Sequence, residues 1–145
     1  MFRFAAAALT CFLFLPAHAG IVATSDGPDE TDLAFEAVRE GLSRSPEIYL
    51  AGIVESVGVP RCEGEGNRRR CAYEARVVRA LASKIVGEGE TLRVVGEIES
   101  GKEVLGFFIP SGSGDTWNAT FLSFETGAAK QEQFERALKM AGLKD

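Results

Sequence analysis

Apolar residues recur at helical spacing near both ends of the chain and at strand spacing between them. In "DETDLAFEAVREGL", residues 29–42, Phe35, Val38 and Leu42 fall at i, i+3 and i+7 and mark one helix face. Asp29 or Thr31 is placed to cap its start, and acids crowd the first turn, where the helix dipole favours them. Gly41 and "SRSP" are expected to end the helix, and Pro46 turns the chain to extended structure. Five strand-like runs follow: "EIYLAGIVESVGV", "CAYEARVVRAL", "ETLRVVGEI", "EVLGFFIP" and "TWNATFLSF". In the second, Tyr73, Ala75 and Val77 alternate with Glu74 and Arg76, so one face is wet. Gly52 and Gly106 interrupt the first and fourth and predict a bulge or sharp coil there. The tail returns to helix. Phe134, Ala137, Leu138 and Ala141 form its stripe, Glu132–Arg136 and Glu135–Lys139 are i, i+4 pairs, and Gly142 is a C-cap.

The order is helix, five consecutive strands, helix, and no internal repeat appears. Short strands with two glycine bends suit a small closed barrel, because closure removes exposed edges. The expected fold is α+β: a five-stranded antiparallel OB-like barrel flanked by an N-terminal and a C-terminal helix. It would form a single domain over residues 29–145. A split sheet with both helices on one face is the alternative.

Residues 1–19 read as a signal peptide. Arg3 gives a positive start, "FAAAALTCFLFL" an apolar core too short to span a membrane comfortably, and "AHA" a small-x-small cleavage site. Cleavage is expected between Ala19 and Gly20, leaving a loose arm at 20–28. The product would be periplasmic or secreted, with no later membrane span. Removal takes Arg3, Cys11 and His18 away. Lys+Arg falls from 16 to 15 against 21 Asp+Glu, so the charge goes from −5 to −6. Two cysteines and no histidine remain. Without an imidazole, Ser-His-Asp and Cys-His catalysis and His-containing zinc sites are excluded. No carboxylate spacing singles out an acid–base pair. A non-enzymatic chain with no cofactor and no metal is expected.

The one unusual stretch is "CEGEGNRRRC", residues 62–71. Glu63, Glu65, Asn67 and Glu74 match positions 1, 3, 5 and 12 of a calcium loop, but Arg68 stands where glycine is needed and three arginines repel a cation. An even cysteine count and an oxidising compartment favour a Cys62–Cys71 disulfide across the turn between the first two strands. In OB-folds the loops between strands 1 and 2 and between strands 4 and 5 often form the binding rim. Here the first carries Arg68, Arg69 and Arg70. The second, from Pro110 to Thr116, carries Asp115 and ends beside Trp117. Arginine and tryptophan dominate interface energetics. A strand tryptophan is more often a core residue than an interface one, and exposed arginines are more often solvated charge than recognition.

The runs "SPEIYLAGIVESV", "YEARVVRALAS", "ETLRVVG" and "GKEVLGFFI" together resemble strands 1 to 4 of the netrin-like domain, over roughly residues 46–124. That family, found in tissue inhibitors of metalloproteinases and in bacterial exported proteins, implies an OB-fold. Its metalloproteinase inhibitors use a mature N-terminal cysteine, whereas Gly20 is expected here, so the resemblance does not carry that mechanism across. The expected function is an exported binding module that docks a protein partner through the clamped arginine loop. An inhibitor of an extracytoplasmic enzyme and a small carboxylate-dependent enzyme are the alternatives. Nucleic acid is not an expected partner, because phosphate contacts need a basic face and the mature chain is acidic.

Overall fold

The structure, a computed structural model, describes residues 30–96, 98–112 and 115–145. The expected signal segment, its cleavage point at Ala19 and Gly20, and the arm at 20–28 lie outside them. The elements are α1 (Glu30–Arg44), β1 (Tyr49–Glu63), a 3-10 turn (Gly66–Arg68), β2 (Arg70–Lys84), β3 (Thr91–Val95), β4 (Glu103–Pro110), β5 (Thr116–Ser123) and α2 (Ala128–Met140). The fold is α+β. No helix among the described residues is long and apolar enough to cross a membrane.

The five strands hydrogen-bond into a closed ring in the order β1-β2-β3-β5-β4, with β4 returning to β1. Four pairings are antiparallel, and β3 with β5 is parallel. This corrects the expectation of an all-antiparallel sheet. The reason is topological. Strand directions cannot alternate all the way round a ring with an odd number of strands, so one pair must run parallel. The β4 strand is inserted between β5 and β1, which puts that parallel seam at β3–β5.

Two cores follow from the ring. Leu50, Val54, Tyr73, Val77, Val94 and Phe108 belong to a cluster inside it. Tyr49, Ile53, Phe107, Val38, Phe134 and Leu138 belong to a second, between the ring and the helices. The β1 run Tyr49–Val54 and the β4 run Val104–Ile109 are therefore buried on both faces. That explains why these segments read as continuous apolar runs and not as alternations. Helix α1 packs on α2, β4 and β5. The helices thus cover one side of the ring. The outer face of β2 and β3 keeps the wet alternation, with Glu74, Arg76 and Thr91 exposed.

Gly41 does not end α1, which runs on to Arg44. It is buried, and a Cβ there would stand 2.7 Å from Cε2 of Phe107. The residue that reads as a stop is a contact point where helix backbone lies against an aromatic ring.

At the other end of the helix pair, Lys130 of α2 donates to Glu30 of α1 at 2.6 Å. Beyond α2, Gly142 takes φ 79°, and the Leu143 amide donates to the Leu138 carbonyl at 2.9 Å. The returning tail brings the Lys144 ammonium to Glu135 at 2.9 Å and to the Leu81 carbonyl at 3.3 Å. Glu135 thus pairs with Lys144, not with Lys139 as the helical spacing implies. The hydrogen bond from Lys144 holds the Glu135 carboxyl below its ordinary value, against a smaller opposing push from burial. A depressed folded pKa stabilises above the unfolded value, and that stabilisation is lost as pH falls through the folded one. The clasp should therefore be intact at neutral pH and fail on acidification below about pH 4. Thermal midpoints across pH 3–7 should fall at the acid end, and Glu135→Gln should flatten part of that slope.

Candidate functional site

Beyond the closed ring, β1 and β2 continue as a two-stranded hairpin. Its register jumps from Val57↔Glu74 to Arg61↔Ala72, so Gly58, Val59 and Pro60 stand opposite Tyr73 alone. Three residues against one is a large bulge, and bulges bend the strand that carries them. Past the bend the ladder resumes at Cys62↔Cys71 and Glu63↔Arg70. The two cysteines are register partners and form the disulfide. The tip is a 3-10 turn, in which the Arg68 amide donates to the Glu65 carbonyl at 3.0 Å and the Arg69 amide to Gly66 at 3.2 Å. The bridge and the turn pin an otherwise polar, fully exposed segment.

Closing this ten-residue loop is worth about 2.7 kcal/mol in the chain-entropy model. A Cys62→Ser, Cys71→Ser double variant should lose about that much in urea denaturation. The buried ring clusters do not depend on the bridge, so cooperative unfolding should survive. Loss of a cooperative transition would mean that the hairpin nucleates the ring.

Off the hairpin, four arginines are ion-paired, while Arg79 and Arg136 have no ion pair among the described residues. Arg39 and Arg44 pair with Glu36 and Glu40 on α1, and Arg76 pairs with Glu55 across β2 and β1. Arg93 on β3 reaches Glu74 at 3.7 Å and Asp115 at 3.6 Å. Arg61, Arg68, Arg69 and Arg70 are all exposed and have no ion-pair partner among the described residues. Four unpaired guanidiniums thus sit on the hairpin, against two carboxylates, Glu63 and Glu65.

The run Arg68–Arg70 is not one patch. Arg68 ends the 3-10 turn, Arg69 follows it, and only Arg70 belongs to β2. Arg70 faces a cleft of about 490 Å³, whereas Arg69 lines a separate hollow of about 300 Å³ with Pro60 and both cysteines. Arg68 lies in the turn between them. The larger cleft is bounded by the hairpin arms, by β3 at Arg93 and Val95, and by Thr116 at the start of β5. Arg70 therefore shares a surface with Arg61 and Arg93, not with its sequence neighbour. Sequence reading missed both. The available signal was the two-residue period carried across the register, which sets Arg61, Ala72 and Val95 in one row and Glu74, Arg93 and Thr116 in the next.

Asp115 is exposed and adjoins the cleft through its ion pair with Arg93. Trp117 does not join it. Its ring is half-buried, its cross-strand partners are Val94 and Pro110, and it packs against the inner cluster. The inward phase of β5 decides this: Trp117 pairs with Val94, which points into the ring. Tyr73 is 2% exposed at the floor of the cleft, and burial pushes its phenol well above the ordinary value, so it stays neutral. Among the described residues no group of three or more His, Cys, Asp or Glu side chains is placed to hold a metal ion. No protein-family model and no curated protein matches the chain.

Proposed function

We propose that the protein is an exported, non-enzymatic binding module that docks a protein partner through the disulfide-pinned hairpin. The observation that carries this reading is the set of four exposed, unpaired arginines on that hairpin, in a chain of net charge −5 whose other strand and α1 arginines, apart from Arg79, are paired. Unpaired guanidiniums held on a pinned support bind carboxylates with little ordering cost. An OB-like barrel of the netrin-like kind is the fold reading that suits the ring. Closure of five strands into one ring supports that reading. The larger cleft lies on the strand 2–3 face beside loop 1–2, where such barrels bind. Export is supported by the N-terminal sequence and by the disulfide, which persists in oxidising compartments.

The test is chemical crosslinking of the mature protein in an extracytoplasmic fraction, beside a variant carrying Arg68→Ala, Arg69→Ala and Arg70→Ala. Both are checked by mass for the intact bridge. A partner captured by the first and lost with the second is the expected result. A partner retained equally by both would overturn the hairpin as the docking element.

A further inference from the structure

The cleft at the root of the hairpin carries charges of both signs, and this narrows what it can hold. Arg61 and Glu63 alternate along one arm, Arg70 and Glu74 face it from β2, and Arg93 closes the far side on β3. Val59, 86% exposed, stands at its lip. Arg93 is shared by Glu74 and Asp115, whereas Arg61 and Arg70 have no ion-pair partner among the described residues and remain open to an incoming carboxylate. Glu63 and Glu74 nevertheless oppose a ligand that is anionic along its whole length, such as a nucleic-acid strand. An extended peptide is different. Its side chains alternate from face to face every residue, and its backbone amides donate. With one face turned to the cleft it can offer carboxylates to Arg61 and Arg70 and N–H groups to the glutamates, while its apolar face is left toward Val59 at the lip.

The volume, about 490 Å³, is that of a small-ligand pocket, so only a few residues of a segment would seat in it. The ion pairs of Arg93 are long, 3.7 and 3.6 Å, and its side chain is 41% exposed. Its guanidinium therefore has donors to offer an incoming carboxylate without breaking a close pair. Arg69, on the opposite face, takes no part.

Building on the docking reading above, we infer that this cleft receives an extended segment of the protein partner in which acidic and apolar residues alternate, with its carboxylates held by Arg61 and Arg70. The hairpin arginines then divide into two kinds. Arg61 and Arg70 read the segment, while Arg68 and Arg69 add only long-range attraction.

The probe is a fluorescein-labelled, N-acetylated octapeptide of alternating glutamate and valine. Anisotropy is read with the mature, bridged protein at low salt. Saturable binding is expected. Arg61→Ala and Arg70→Ala should each weaken it about tenfold, equivalent to about 1.4 kcal/mol. Arg69→Ala should leave it within about twofold, and unchanged thermal midpoints would show that all three variants fold. A glutamine–valine octapeptide and an oligothymidylate should bind at least tenfold more weakly. No saturation, equal binding of the glutamine peptide, tighter binding of the oligothymidylate, or an Arg69→Ala loss equal to that of Arg70→Ala would each overturn the inference. The two failures are distinguishable. Partner capture that needs the hairpin, with no peptide binding, leaves docking standing and removes the cleft. Capture unaffected by the triple variant, which lacks Arg70, would remove both the hairpin as the docking element and the cleft as the partner's seat, whatever the peptide does.

Discussion

A Gly52→Val variant is expected to lose about 3 kcal/mol or more, or to fail to fold, because the ring cannot close around a side chain at that point. A Cβ on Gly52 would stand 2.2 Å from the Arg79 carbonyl oxygen and 3.1 Å from Cα of Ala80. Both are backbone atoms of β2, so no rotamer change relieves the clash. The register between β1 and β2 shifts between Ala51 and Gly52, and again between Ile53 and Val54. Gly52 is thus where β1 coils sharply while pairing β2 on one side and Gly106 of β4 on the other. An open sheet would respond by splaying, but a closed ring has no free edge to move. For a chain of this size 3 kcal/mol corresponds to a fall of roughly 10–15 °C in thermal midpoint. A fall under about 2 °C would mean that β1 does not make this bend.

Phe107→Ala should cost about 3–5 kcal/mol, the usual range for deleting a fully buried aromatic side chain. Phe107 is 0% exposed in the cluster between ring and helices. It stacks on Tyr49 at a centroid distance of 5.6 Å, and the backbone of α1 lies on its other side at Gly41. One ring therefore joins β4, β1 and α1. The cavity can be refilled only if α1 moves inward, and Thr120 also stands against Gly41 there. Urea denaturation should show the loss as a lower midpoint with an unchanged slope. A cost under about 1 kcal/mol would place the helix layer outside the cooperative unit.

The order of elements was legible because each carries its own periodicity. Phe35, Val38 and Leu42 announce α1, and the Tyr73–Val77 alternation announces the core of β2. Strand β1 nevertheless runs on to Glu63, beyond the apolar run read for it, while β2 begins at Arg70, one residue before its run. The ladder there is held by the disulfide and by pairing of polar residues, neither of which leaves an apolar pattern. The β3–β5 pairing was not legible, since sequence neighbours favour consecutive antiparallel strands. It follows only once five strands are required to close. The arginine triplet misled through proximity, because the chain leaves the 3-10 turn at Arg69 and enters β2 at Arg70, so sequence neighbours line different hollows. Trp117 is decided by the phase of β5, which nothing in "TWNATFLSF" fixes before Val94 is known to be its neighbour. Ile85 takes φ 87° with 74% exposure, a backbone state that a β-branched residue does not advertise.

The docking claim is tested most directly by position-specific photocrosslinking in the cells that make the protein. One crosslinking side chain replaces Asn67 at the hairpin tip, and in a second variant it replaces Glu132 on the exposed face of α2. A covalent adduct of one defined mass from position 67, and none from position 132, is the expected result. Adducts from position 132 alone would place the docking surface on the helices and contradict the role given to the hairpin.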